Sequence, residues 1–282
     1  MIKTPLPKLL LLSFVFFVGV ATVLGFRFLP ELIEKQSLKA PPPFKKLSEA
    51  ESRPSTSSGK IKYPHDYTFV LLGDSMTEVL GNSDELKGYL NQEFPDKTFE
   101  ALNYGYGATS IISAKERYLT TTYHSGRDFA PIKDIDFDYL LVESFGHNPL
   151  SEFNEEGLAK QTEILDDFME LVATTSGKEK VIFVATIGTN KDTYAKSVQT
   201  DLSPDVREKW ALERDAYIKN HIEYAKSHGI PVIDAFTPSL DYSGKAKQFL
   251  VRTDDYLHPS PSGVLFISKK IAEFFIKNQF IR

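Results

Sequence analysis

The sequence predicts an α/β domain in which a parallel β-sheet is covered on both faces by helices. Two observations lead to this prediction: five short apolar segments have the composition of buried strands, and segments of helical periodicity separate them. Alternation of this kind is typical of repeated β-α-β units, whose strands run parallel. The chain has 282 residues, of which 41% are hydrophobic, so it can bury the core that such a domain needs.

Each predicted strand is short, rich in β-branched or aromatic residues, and followed by a glycine or a polar residue. The five strands are residues 67–72, 97–104, 137–144, 179–187 and 230–236. Apolar residues recur at helical spacing within residues 158–172, 206–225 and 264–275, which predicts three long helices. The loops that follow parallel strands meet at one edge of the sheet, and ligands bind there in such folds.

An apolar segment near the amino terminus predicts export. Residues 9–26 carry no charge and follow Lys3 and Lys8, and their length approaches the roughly 20 residues that cross a bilayer as a helix. The preceding lysines favour a cytoplasmic amino terminus, which places the rest of the chain outside the cytoplasm. Residues 1–29 are therefore predicted to be a signal anchor that holds an extracytoplasmic domain at the membrane. A signal peptide cleaved near residues 19–21 is the alternative, and it predicts a secreted protein.

The composition divides the rest of the chain into two regions. Residues 30–64 combine proline, serine and charged residues with few bulky apolar ones. Such a segment cannot bury enough surface to offset the entropy of ordering it, so it is predicted to be a flexible linker. Residues 65–282 contain all the predicted strands and form the predicted folded domain.

Several classes of function are excluded by composition. The formal net charge of -5 offers no basic surface for nucleic acid. The chain has no cysteine, which excludes disulfides, thiolate metal sites and thiol nucleophiles. The histidines show no metal-ligand spacing, and the acidic stretch at residues 134–138 lacks the glycine and the glutamate of a calcium loop. We therefore expect neither a metal ion nor an organic cofactor.

Residues suited to acyl transfer follow the first three predicted strands. Ser75 comes just after the first strand, where a serine is either a nucleophile or the N-cap of a helix. Gly105 and Gly107 follow the second strand and can present backbone N–H groups without side-chain obstruction. Asn148 follows the third strand, as an amide donor or as a turn residue. Each signal alone is weak.

A histidine and two carboxylates occupy the loop before the last helix. His258 can accept a proton from a serine and return it to a leaving group. Asp255, three residues earlier, can orient the imidazole, although Asp254 lies beside it and an ordinary solvated turn would also explain the pattern. Together with the loops after the strands, this loop supplies a nucleophile, oxyanion donors, a base and an orienting acid.

Four motifs resemble the sequence blocks of the SGNH hydrolase family, whose members are also called GDSL esterases or lipases. In chain order they are "GDSMT", "NYGYGAT", "FGHN" and "DYLHPSPSG". The resemblance covers the chain from about residue 67 to the C-terminus. It implies a flavodoxin-like three-layer α/β/α sandwich with a five-stranded parallel sheet, which agrees with the alternation of strands and helices.

The resemblance also implies a role for each residue of the motifs. The implied triad is Ser75, Asp255 and His258, and the implied oxyanion donors are the N–H of Ser75, the N–H of Gly107 and the side-chain amide of Asn148. Gly105 competes with Gly107, because the second motif is one residue shorter than the family pattern. Pro149 stands where the family usually has an aspartate, whereas the catalytic asparagine is retained. Asp74 would be a structural hydrogen-bonding residue.

These roles predict a serine esterase that hydrolyses carboxylic esters through an acyl-enzyme intermediate. Its substrate would be a small-molecule or glycan-linked acyl ester. A cell-envelope O-acyltransferase with the same triad is one alternative, and a catalytically silent binding domain on the same fold is another. Residues 188–210 follow the fourth strand and are predicted to form a lid or a wall of the substrate site.

Overall fold

Five parallel strands form the central sheet of the computed structural model, which describes residue 40, residues 55–57 and residues 59–282. The described strands are β1 (Ser55–Ser57), β2 (Lys60–Lys62), β3 (Tyr67–Gly73), β4 (Phe99–Gly105), β5 (Thr122–His124), β6 (Arg127–Phe129), β7 (Tyr139–Glu143), β8 (Val181–Ala185) and β9 (Val232–Asp234). The described α-helices are α1 (Ser75–Glu78), α2 (Asp84–Glu93), α3 (Ala114–Leu119), α4 (Gly157–Thr175), α5 (Pro204–Ser227), α6 (Phe236–Ser239) and α7 (Pro261–Lys277). Short 3-10 turns span Ile111–Ser113, Ile132–Asp134, Ser151–Glu156, Lys178–Lys180 and Gln248–Leu250.

The strand order places the motifs at one crevice. The sheet runs β4-β3-β7-β8-β9, which is the flavodoxin-like order in which the first strand lies between the second and the third. In such a sheet the chain leaves β3 and β7 toward opposite faces, so a crevice opens at their carboxyl ends. The loops that carry Ser75 and Asn148 follow these two strands, and the loop that carries Gly107 follows the neighbouring β4.

Different helices cover the two faces of the sheet. Side chains alternate between faces along a strand, so neighbouring residues of β3 enter different layers. Phe69 packs edge-on against Phe275 of α7, with ring centroids 4.9 Å apart. On the opposite face, Val70 belongs to a buried apolar cluster with Phe168 of α4 and Tyr217 of α5. The predicted three-layer α/β/α architecture with a five-stranded parallel sheet is confirmed.

The strands and long helices lie where the sequence predicts them, although β3 and β4 end one residue later than predicted and β7, β8 and β9 are shorter at both ends. The last predicted strand, residues 230–236, is reduced to β9 for two local reasons. Pro231 has no N–H group for a strand ladder, although its carbonyl accepts from Phe183 N at 2.8 Å. Asp234 Oδ1 accepts from Thr237 N at 2.8 Å and so begins α6. This local bond from a side chain to the backbone therefore ends the strand earlier than its apolar composition suggests.

Two antiparallel hairpins supplement the parallel sheet, and the sequence predicts neither. One pairs β5 with β6 through a turn in which Ser125 and Gly126 have φ of 49° and 83°. Positive φ at both turn residues is the geometry that matches the twist of a two-residue hairpin. The other hairpin pairs β1 with β2 inside the expected linker. The carbonyl of Ile61, the middle residue of β2, accepts a hydrogen bond from Asp136 N at 2.8 Å, so ordered structure begins before residue 65.

The predicted signal anchor or signal peptide at residues 1–29 lies outside the described residues, as does most of the predicted linker. Within the part of the chain that the structure describes, no helix has the length and apolar character needed to span a bilayer. Export, anchoring and the domain boundaries at residues 29 and 64 therefore stay predictions.

Candidate active site

Ser75 is the first residue of α1, at the carboxyl end of β3. The N-cap of this helix is Asp74, whose Oδ1 accepts from Met76 N at 2.8 Å. The capping role that a serine at a helix start usually fills is thus taken by its neighbour, and the Ser75 hydroxyl is left for other contacts. Ser75 is partly exposed, whereas Asp74 and Met76 on either side are buried.

The loop before α7 holds a histidine–carboxylate pair. His258 Nδ1 lies 2.8 Å from Asp255 Oδ2, and the other carboxylate oxygen accepts from Leu257 N at 2.8 Å and from His258 N at 3.1 Å. Burial acts to raise the pKa of Asp255, but these hydrogen bonds outweigh it and hold the pKa below its usual value. Asp254 instead pairs with Arg252 on the exposed side of the loop. The geometry therefore selects Asp255 as the partner of the imidazole.

Two observations distinguish Gly105, the last residue of β4, from Gly107, which follows the strand. Gly105 N donates to Asn103 Oδ1 at 2.8 Å, so this N–H group is already occupied. A Cβ placed on Gly105 would lie 2.2 Å from Glu78 N, which shows how closely the backbone of α1 packs there. A Cβ on Gly107 would instead lie 3.9 Å from the Cβ of Ser75. Gly107 thus borders the candidate nucleophile, as the resemblance implies, and Gly105 packs behind it.

Asn148 reaches the nucleophile loop through its side chain. Its Nδ2 donates to Asp74 Oδ2 at 2.9 Å, and the residue itself is half-buried. An amide nitrogen has two hydrogens, so one remains for a ligand after this bond is made. Burial raises the pKa of Asp74, while the hydrogen bond from Asn148 and the charge of His258 act in the opposite direction. Asn148 and His258 thus both act on Asp74, which directly precedes Ser75.

Arg117 is a buried cation that the sequence analysis does not single out. It is 1% exposed, and its Nη1 donates to Gly73 O and to Tyr104 O, each at 2.6 Å. Its guanidinium also lies over the rings of Tyr106 and Phe145, 4.5 and 5.3 Å from their centroids. Burial lowers its pKa to about 10. One side chain therefore joins the ends of β3 and β4, from which the loops of Ser75 and Gly107 depart.

A second histidine–carboxylate pair borders the site. His124 Nε2, on the β5–β6 hairpin, lies 2.8 Å from Glu78 Oε1, and its ring stacks on Tyr106 with centroids 4.2 Å apart. The other oxygen of Glu78 lies 2.7 Å from the position of a Cβ on Gly107. The unpredicted hairpin therefore contributes a wall of the site next to the candidate oxyanion donor.

Residues 188–210 pack against the histidine loop. Tyr194 and Ala195 are buried in a small apolar cluster that includes Leu257 of that loop. Ala195 N donates to Tyr256 O at 3.0 Å, which links the two segments through their backbones. The segment therefore lies at the rim where the sequence predicts it. Its action as a lid or substrate wall stays a prediction.

Comparison with known proteins supports the fold. No protein-family model matches the sequence, and no curated protein matches it. A putative acylhydrolase from Bacteroides fragilis NCTC 9343 is similar in structure, with a TM-score of 0.53, 13% identity, and coverage of 82% of this chain and 93% of that one. A GDSL-like lipase from Bacteroides thetaiotaomicron VPI-5482 has a TM-score of 0.51 and 12% identity, with coverage of 75% of this chain and 88% of that one.

A lipase/acylhydrolase from Enterococcus faecalis is 20% identical over 75% of this chain and 96% of its own, with a TM-score of 0.48. The chain has the fold of the GDSL-type, or SGNH, hydrolases. The resemblance that the four motifs predict is thus confirmed at the level of the fold.

Among the described residues, no group of three or more His, Asp or Glu side chains is placed to hold a metal ion.

Proposed function

We propose that the protein is a serine esterase that hydrolyses carboxylic esters through an acyl-enzyme intermediate. The observation that carries this proposal is the bond between His258 Nδ1 and Asp255 Oδ2, at 2.8 Å. It fixes the tautomer with the proton on Nδ1, so that Nε2 of His258 is the atom able to accept a proton. The similar Bacteroides structures, described as an acylhydrolase and a GDSL-like lipase, support the same class of reaction.

The reaction follows from the chemistry of these groups. Ser75 Oγ attacks the ester carbonyl while His258 Nε2 takes its proton, and Asp255 stabilises the imidazolium that forms. The tetrahedral oxyanion accepts from the N–H groups of Ser75 and Gly107 and from the free amide hydrogen of Asn148. His258 then gives the proton to the departing alcohol. Water, activated by the same imidazole, hydrolyses the acyl-Ser75 ester and restores the enzyme.

The location of the enzyme forms part of the proposal. The lysines and the uncharged run before residue 27 support an exported protein held at the membrane by its amino-terminal segment. The substrate would then be an acyl ester outside the cytoplasm, on a small molecule or a glycan. Protease treatment of intact cells should digest the catalytic domain, whereas a cytoplasmic control protein should survive.

Covalent labelling tests the reaction directly. A fluorophosphonate probe should label the full-length chain, and Ser75→Ala should abolish both the labelling and the hydrolysis of short-chain esters. His258→Asn should retain the fold and lose turnover, because Ser75 then has no base. A folded Ser75→Ala variant that hydrolyses esters at the wild-type rate would contradict the proposal. Assays with hydroxylated acceptors should yield free acid; acylated acceptor as the main product would instead establish a transferase.

A further inference from the structure

Two carboxyl groups are buried behind the candidate nucleophile. Asp74, which precedes Ser75, is 0% exposed, and Glu143, at the end of β7, is 3% exposed. Asp74 N lies 3.4 Å from Glu143 Oε2, and the two carboxyl groups are within hydrogen-bonding reach of each other. The hydroxyl of Ser144 donates to Glu143 Oε1 at 2.5 Å. The mechanism proposed above assigns no role to Glu143.

The surroundings of Glu143 oppose a negative charge. Its side chain borders a small void between the sheet, α1 and α7, and the other residues that line it are uncharged: Leu71, Met76, Thr77, Leu80, Leu141, Val184, Thr186, Ile267 and Ile271. Burial, and then the charge of Asp74, raise the pKa of Glu143 well above its usual value. A single proton shared by the pair relieves the repulsion between two carboxylates.

The other ionisable groups near the pair do not neutralise Glu143 directly. Arg117 of α3 interacts electrostatically with both carboxyl groups, but the hydrogen bonds of its Nη1 go to backbone carbonyls. His258 acts on Asp74 from the loop before α7. His221 of α5 lies behind β7, where its Nε2 is 3.1 Å from Val142 O, and burial lowers its pKa to about 3, so it is uncharged at neutral pH.

The surroundings of the two carboxyl groups indicate which of them holds the proton, because both accept hydrogen bonds. Asp74 accepts from Met76 N and from Asn148 Nδ2, and Glu143 accepts from the Ser144 hydroxyl and, at 3.4 Å, from Asp74 N. Glu143 lies against the apolar void and is the better site for the proton. A protonated Glu143 can donate to Asp74, whereas an ionised one can only repel it.

We propose that Glu143 is a positioning residue, which stays protonated, shares its proton with Asp74 and thereby fixes the Asn148 amide in the oxyanion hole; this role rests on the proposed function. Loss of the proton would place two charges side by side and displace the Asp74 carboxylate that holds Asn148. Turnover should then fall at alkaline pH.

Matched substitutions of Glu143 test the role in the full-length chain. Glu143→Gln keeps a donor toward Asp74 and cannot ionise, so kcat should stay close to wild type at neutral pH and its alkaline fall should disappear. Glu143→Leu has a similar size but no donor, so kcat should drop by roughly 10²–10³, as for the loss of one oxyanion donor, with little change in KM. Glu143→Leu combined with Asn148→Ala should be no slower than either alone, because both remove the same interaction.

Infrared spectroscopy tests the proton independently of activity. At neutral pH, wild type should show the carbonyl stretch of a protonated carboxyl group, and Glu143→Gln should lack it. The absence of that band from wild type would overturn the proposal, even if Glu143→Leu failed to fold. Wild-type turnover in a folded Glu143→Leu variant would overturn it as well. If the band is present but Ser75→Ala still hydrolyses esters, the proposed function fails and the catalytic role with it, while the protonated state stands.

Discussion

The backbone N–H of Ala195 donates to the carbonyl of Tyr256 across 3.0 Å, and this bond joins two loops that are 61 residues apart in the chain. Tyr256 lies between Asp255 and His258, so the bond ends inside the loop of the candidate base. Both residues have positive φ, 54° for Ala195 and 56° for Tyr256, a conformation that non-glycine residues adopt at a cost. The contact therefore restrains the histidine loop from outside, in addition to the hydrogen bonds within the loop itself.

Substitutions at Ala195 should separate the effect of its backbone hydrogen bond on activity from the effect of its side chain. Ala195→Pro removes the N–H group and fixes φ near -65°, so it should lower kcat/KM by about ten- to hundredfold through a displaced His258. Ala195→Gly keeps the N–H group and tolerates positive φ, so stability should change by less than about 1 kcal/mol and kcat/KM should be retained. Unchanged kcat/KM in a folded Ala195→Pro variant would show that the histidine loop is held without this segment.

The two adjacent aspartates should differ sharply in their effect on turnover. Asp255→Asn removes the carboxylate that orients His258, so kcat/KM should fall by roughly 10³–10⁴. Asp254→Asn removes an exposed contact with Arg252 and should change kcat/KM by less than about twofold. Ester hydrolysis by the two purified variants checks this directly. Equal losses in both would mean that the loop acts as a unit and that Asp255 has no special role.

Methyl groups at the two glycines should have different consequences. In Gly105→Ala the new Cβ would meet the backbone nitrogen of Glu78 at 2.2 Å, so α1 must shift and stability should fall by about 1–3 kcal/mol. In Gly107→Ala the clash is with the end of the Glu78 side chain, at 2.7 Å, which can turn away. That variant should keep its melting temperature and lose kcat/KM, more for long acyl chains than for acetyl. The reverse pattern would contradict the placement of Gly107 beside Ser75.

The stability of the protein should depend on pH through Asp215 of α5. This residue is 5% exposed and accepts from Thr189 N at 2.9 Å, and burial raises its pKa from 3.8 to about 6. A carboxyl group whose pKa is higher in the folded state stabilises the fold below its unfolded pKa and loses that contribution as pH rises through the folded pKa. Between pH 4 and pH 6 the loss should reach at most about 3 kcal/mol.

Asp215→Asn isolates this effect, because the amide oxygen can still accept from Thr189 N. Urea unfolding at several pH values should show the variant gaining stability relative to wild type as pH rises across that window. A difference between the two proteins that is independent of pH would contradict the raised pKa of Asp215.

A feature of the fold or of the site can be predicted from the sequence when residues close to it in the chain determine it. Ser75, Gly107, Asn148 and His258 follow strands or precede a helix, so the alternation of elements already brings them to one edge of the sheet. The choice between Asp254 and Asp255 depends on which carboxylate turns toward the imidazole, and spacing alone does not decide that.

Other site residues are set by contacts distant in sequence. Glu143 does carry a signal in the sequence, because a charged residue directly follows the apolar run at residues 139–142. Arg117 gave none, since it lies in a polar run with Lys115 and Glu116, and only the fold shows that its guanidinium reaches Gly73 O. The β5–β6 hairpin was missed because its strands are three residues long and lack the alternation that marks a longer strand.

The end of the chain meets the beginning of the sheet. Tyr67 is the first residue of β3. Its hydroxyl donates to Arg282 O at 3.0 Å, and the hydroxyl oxygen of Tyr67 accepts from Arg282 N at 2.9 Å. Tyr139, which starts β7, similarly donates to Phe280 O at 2.7 Å. These contacts lie at the amino ends of β3 and β7, whereas Ser75 lies at the carboxyl end of β3. A short peptide could therefore join residue 282 to residue 66 without contacting the site. The domain is therefore suited to circular permutation, with new termini opened in the exposed turn at Gly229, away from the β5–β6 hairpin that borders the site.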